Sequence, residues 1–232
     1  GSFAEERNIN KNLILKIPDK LDEKLVAATF HSLLASHYLT RRTFKLENKH
    51  IVLIHGATGN LAHILCQWIK NNIGSTIIGT VSDPNNLAIA KDFGFDHVVL
   101  KHSNDLLNQI RSITNGDMIS VVYDSHGKDL YEFNINALSI FGILVNYGDL
   151  TGKLNNIDLT LAWNKCNFIT KTNLSTYKAN RFELVLSATN LFDNLSEKKV
   201  IPFINDYKFD EIKKCLKKIS TGKNIGANVI TL

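Results

Sequence analysis

Proline is scarce, with three in 232 residues, and they mark no linker between one part of the chain and another. Cysteine is equally scarce: Cys66, Cys166 and Cys215 are scattered, odd in number and without metal-ligand spacing. That argues against a disulfide framework and against a metal site, and leaves free thiols. No apolar run approaches membrane-spanning length, and the opening FAEERN is acidic and polar where a signal peptide is basic and then apolar. The expectation is a cytoplasmic protein. Internal repeats and low-complexity tracts are missing as well.

Charge of one sign is in modest excess, with a formal net charge of +5. Lysines gather at 213, 214, 217 and 218, but Phe209, Ile212, Leu216 and Ile219 fall among them at helical spacing. The lysines therefore belong to the solvated face of an amphipathic helix. No aromatic stacking pattern is interleaved with them, so nucleic-acid binding is not expected. At 44% hydrophobic and 21% charged residues, the chain has enough apolar material for one large domain or two small ones.

The informative stretch is His50 to Gly74, HIVLIHGATGNLAHILCQWIKNNIG. Its β-branched and aliphatic run, Ile51 to Ile54, reads as a strand buried on both faces of a parallel sheet. Gly56 and Gly59 permit a sharp turn, and the helix that follows offers unpaired N–H groups and a positive dipole end to a pyrophosphate. Further strands are expected near 75–81, 97–101, 118–124, 142–148 and 167–171, with the first at 51–55 and helices between them up to the fifth. Repeated β-α units of this length predict an α/β fold with a doubly wound, parallel six-stranded sheet and a ligand across the carboxyl ends of its strands. Beyond about Thr172 the pattern becomes mostly helical, with one final strand from Asn228 to Thr231.

Several blocks occur in the order AATFHSLLASHYLTRR, CQWIKNNIG, IIGTV, Phe93-Gly94, VVYDSHGKD, LVNYGDLTG, NLSTYKANRFELVLSATNLFDNL and STGKNIGANVI. In these blocks the chain resembles the zeta-crystallin-like quinone oxidoreductases of the zinc-independent medium-chain dehydrogenase/reductase superfamily, over essentially its whole length. The resemblance implies a Rossmann-type NADP-binding domain at 27–172, with remnants of a GroES-like catalytic domain at both ends, 1–26 and 173–232. It also implies that the body of that catalytic domain is missing, whether by experiment or in the gene. Gly1-Ser2 reads equally as a tag remnant or as native, since the family carries a similar run at this place.

Residue by residue, the resemblance assigns the cofactor turn to Thr58, Gly59, Asn60, Leu61 and Ala62, with a side chain at Asn60 where the family has glycine. Asn tolerates positive φ, so the turn is expected to survive. Ser82 and Asn86 follow the second strand, and Asn86 replaces the lysine that neutralises the 2′-phosphate of NADPH. Lys101 stands in place of an aromatic residue at the adenosine end; it reads either as a compensating charge or as a solvated lysine at a strand end. Asp83, if it faced the ribose, would favour a 2′-hydroxyl. Ser125 and the loop Tyr147, Gly148 and Asp149 match positions on the nicotinamide side. His126 reads as a partly exposed loop histidine. His31, His37, His50 and His55 have no ligand spacing and are expected to take no catalytic or metal role.

The implied activity is hydride transfer from NADPH to a quinone or an activated conjugated carbonyl, without metal, in a homodimer joined through the sheet edge near 167–171. No catalytic residue is assigned, and this chain alone is expected to turn over weakly or not at all. Two alternatives stay open. One is an NmrA-like NADP-sensing regulator, suggested by GATGNLA; the other is a dinucleotide-binding remnant without activity.

Overall fold

In the computed structural model, residues 4–155 and 157–232 are described; the Gly1-Ser2 pair lies outside them. The aliphatic run forms β1 (Ile51–His55), and Val52, Leu53 and Ile54 are completely buried. It is followed by α2 (Asn60–Asn72), β2 (Thr76–Val81), α3 (Asn86–Asp92), β3 (His97–Leu100), α4 (Leu106–Ile113) and β4 (Ile119–Asp124). Then come α5 (Tyr131–Ala137), β5 (Leu138–Asn146), α6 (Thr160–Trp163) and β6 (Phe168–Lys171). All six strands are parallel, in the order β3-β2-β1-β4-β5-β6. The reversal of winding beside β1 puts a crevice at the carboxyl ends of β1 and β4.

Both faces of the sheet are covered, as a parallel sheet requires. On one face Val52, Ile54, Ile77, Val121 and Tyr123 pack with α1 (Glu23–Tyr38) and α2. On the other, Leu53, Ile78, Val122 and Leu144 meet Ile110 and Ile135 from α4 and α5. Asp22 caps α1 by accepting from the backbone of Lys24 and Leu25. Its last turn continues into a π-helical segment, Leu39–Thr43, where Thr40 Oγ1 accepts from Trp68 Nε1 at 3.0 Å. The lead-in helix is thereby fixed against α2.

Past β6 come α7 (Leu174–Lys178) and α8 (Arg181–Ser196). Leu184, Ala188, Leu191 and Leu195 of α8 join the same core as α1 and α2, so packing runs on beyond residue 173. β7 (Ile204–Lys208), α9 (Ile212–Ser220) and β8 (Ala227–Thr231) then make a small unit with its own two-stranded parallel sheet.

Three sequence expectations change. β5 starts at Leu138, earlier than 142, because Leu138 still pairs with Ile119 before the residues up to Ile143 bulge outward with Phe141 at φ +59°. β7 had no expected counterpart: INDYK carries Asn, Asp and Lys, and only pairing with β8 makes it a strand. In α9 the lysines are solvated as expected, yet Leu216 and Ile219 are each 45% exposed and Cys215 is the buried residue. Among the described residues the apolar stripe is left partly uncovered.

Candidate functional site

The β1–α2 turn is built by its backbone. Gly56 sits at φ +70°, a conformation costly to other residues, and Gly59 N–H donates to its carbonyl at 2.8 Å. Ala57 N–H donates to Thr80 O on β2 at 2.9 Å, which ties the turn to the neighbouring strand. Gly59 is the N-cap of α2 and brings no side chain to cap it. The helix therefore presents its first N–H groups and positive dipole end toward the crevice. The N-terminal residue Asn60 has a negative φ, so the positive φ expected to rescue the turn is not used. Its amide instead donates to Ala28 O on α1 at 3.2 Å.

A cleft of about 950 Å³ opens here. Thr58, Gly59, Asn60, Leu61, Ala62, Ser82, Asn86, Ser125 and Tyr147 all line it, so the structure brings together nine of the positions expected from sequence. Lys101, Gly148 and Asp149 do not. Gly148 packs so closely on Ser125 that a Cβ would stand 2.6 Å from the Ser125 carbonyl oxygen. Asp149 turns away to pair with Lys171 at 2.6 Å. Lys101 is half-buried, and desolvation pulls its ammonium below the usual lysine range.

Histidines form the floor, which sequence reasoning missed. His55 is fully buried; its Nδ1 lies 2.9 Å from Thr80 Oγ1 and its Nε2 2.7 Å from Asn134 Oδ1. Asn134 Oδ1 accepts only, so Nε2 carries the proton and Nδ1 accepts from the Thr80 hydroxyl. His126 is only 8% exposed, against the expected partly exposed loop position. Its ring meets His55 edge-on with centroids 5.7 Å apart, and its Nδ1 lies 3.3 Å from Ser125 Oγ. Burial holds both imidazoles down to about 4, with the Lys101 charge adding to the effect. Both are neutral at pH 7.

Asp124, beneath Ser125, accepts from His126 N–H, Gly127 N–H and the Asn146 amide at 2.8, 3.0 and 3.0 Å. Burial pushes its carboxyl up, and those hydrogen bonds oppose the shift. The group fixes the β4 and β5 loops relative to each other.

The remaining wall comes from Ile219, Thr221, Gly222, Lys223, Asn224, Gly226, Ala227 and Asn228. Gly226 N–H donates to Thr58 O at 2.9 Å and bridges to Gly59 in parallel fashion. No local signal in the sequence tells that this segment returns to a turn more than a hundred residues earlier. Among the described residues, no group of three or more His, Cys, Asp or Glu is placed to hold a metal ion.

Residues 61–189 match the zinc-binding dehydrogenase family. The quinone oxidoreductase of Salmonella typhimurium is 30% identical over 193 residues, covering 83% of this chain and 59% of the relative, so the chain spans less than two thirds of that protein's length. The Escherichia coli quinone oxidoreductase, solved with NADPH, superimposes with a TM-score of 0.87 at 25% identity, over 93% of this chain and 67% of that one. A solved 2-haloacrylate reductase gives 0.84 at 30% identity, over 94% and 69%. A family match across more than half of the chain, together with these likenesses, shows that the chain belongs to the zinc-binding dehydrogenase family as a quinone oxidoreductase-like member.

Proposed function

We propose that the cleft binds NADP(H) and serves hydride transfer from NADPH to a quinone or an activated conjugated carbonyl. The observation that carries this reading is the cleft itself. It runs from the uncapped N-terminus of α2 past the ends of β2 and β4, where a dinucleotide crosses a doubly wound sheet. The related Escherichia coli structure with NADPH supports it. The nicotinamide supplies the hydride, while Ser125 and Tyr147 orient it and His55 with His126 keep the floor dry and uncharged. Asn86 and Asp83 bring no positive charge to the end after β2, so the affinity is weak.

The flanks 1–26 and 173–232 belong, in this reading, to the catalytic domain that completes the cleft. Positioning contributes about 7 to 11 kcal/mol to catalysis, so this chain alone turns over quinones poorly. The free cysteines fit a cytoplasmic setting. Among the described residues no helix is long and apolar enough to cross a membrane.

The sheet edge at β6 pairs with a second copy. Phe168 there is 58% exposed, and Ile140, Phe141 and Trp163 are exposed beside it. The lysines that guard such edges are occupied: Lys165 Nζ donates to the carbonyls of Asn136 and Leu138, both at 2.8 Å, and Lys171 binds Asp149 and Asn146.

Calorimetric titration of NADPH tests the ligand. Saturable binding supports the reading, whereas no binding of NADPH or NADH favours a remnant that has lost its ligand. In Lys101→Ala, affinity lower by about tenfold would put that ammonium on the nucleotide. Unchanged affinity would remove it from the site.

A further inference from the structure

Among the residues lining the cleft, Lys223 is the single lysine or arginine and Asp83 the single carboxylate. Lys223 lies on the loop leaving α9, is exposed, and forms no ion pair among the described residues. Solvation alone would account for such a lysine on an open surface, as it does for Lys213 and Lys217 on α9, whereas Lys214 pairs with Glu211 at 2.8 Å and Lys218 donates to Asn205 Oδ1 at 3.0 Å. Lys223 differs in being held at the cleft. Gly226 N–H donates to Thr58 O at 2.9 Å, the Asn224 amide donates to Gly226 O at 3.0 Å, and Lys223 N–H donates to Thr221 Oγ1 at 3.3 Å.

This anchoring fixes the loop to the turn from which α2 opens. Lys223 is thereby carried on the wall of the same cleft into which the N-terminus of α2 opens, and its ammonium and the helix dipole's positive end attract the same charge. A phosphate group of the nucleotide is the anion that such a pair suits.

We propose that Lys223 is the phosphate-holding cation of this cleft, in place of the lysine that the resembled family carries after β2, where this chain has Asn86. The proposal rests on the reading of the cleft as a dinucleotide site.

The test is titration of NADPH and of NADH into wild type, Lys223→Ala, Lys223→Arg and Lys213→Ala, the last an exposed α9 lysine away from the cleft. Lys223→Ala should weaken binding by about tenfold or more, Lys223→Arg should retain most of it, and Lys213→Ala should match wild type. A loss confined to NADPH places the ammonium on the 2′-phosphate, and a loss for both nucleotides places it on the pyrophosphate; either supports the proposal. A wild type that binds while Lys223→Ala binds equally well overturns the role of Lys223 and leaves the dinucleotide site standing. An equal loss in Lys213→Ala also overturns it, since general charge would then explain the effect. A wild type that binds neither nucleotide overturns both readings.

Discussion

Lowering the pH from 7 to 5 should destabilise this protein measurably through His55. Its imidazole is fully buried, and burial holds it at about 4 against an ordinary 6.5. Between those values the unfolded chain takes up a proton that the native state refuses, so stability falls as pH drops through 6.5 and levels off below about 4. The whole shift is worth about 3 kcal/mol, of which about 2 kcal/mol is lost by pH 5. For a chain of this size that corresponds to a melting temperature lower by about 4 to 8 °C.

Urea unfolding of wild type and His55→Gln at pH 7 and pH 5 measures it. His55→Gln lowers stability at pH 7, because it disturbs the contacts to Thr80 and Asn134. It should nevertheless lose about 2 kcal/mol less than wild type on acidification. Burial holds His126 at about 4 as well and pushes the Asp124 carboxyl up from its ordinary value, and comparing the two proteins removes the share they have in common. An identical loss in wild type and variant would refute the assignment of the acid sensitivity to His55.

Gly226→Ala should cost more than about 2 kcal/mol, since it adds left-handed strain at φ +67° to a Cβ placed 2.2 Å from Phe203 O. It should also weaken NADPH binding by freeing the loop from Thr58; unchanged urea midpoints and affinity would contradict both. Phe168→Asp, on the exposed β6 edge, should leave the fold intact and shift sedimentation at micromolar concentration from dimer to monomer. A wild type already monomeric there would sink the edge-pairing proposal.

The sequence by itself determined the sheet and the turn. An aliphatic run, two glycines and an amphipathic helix in that order are local signals, so β1, α2 and the α/β alternation follow from neighbouring residues alone. The strands at 51–55 and 76–81 accordingly fall where periodicity puts them, to within a residue. What only the tertiary structure decided depends on partners distant in the chain. β7 is a strand because β8 lies beside it, and Gly226 lines the cleft because Thr58 and Gly59 receive it. His55 and His126 become a neutral pair because the ends of β1 and β4 are neighbours in the sheet and the cost of burying charge there falls on both. Lys101 and Asp149 drop out of the cleft lining for the same kind of reason. Their side chains answer to what stands beside them in space, which no local pattern records.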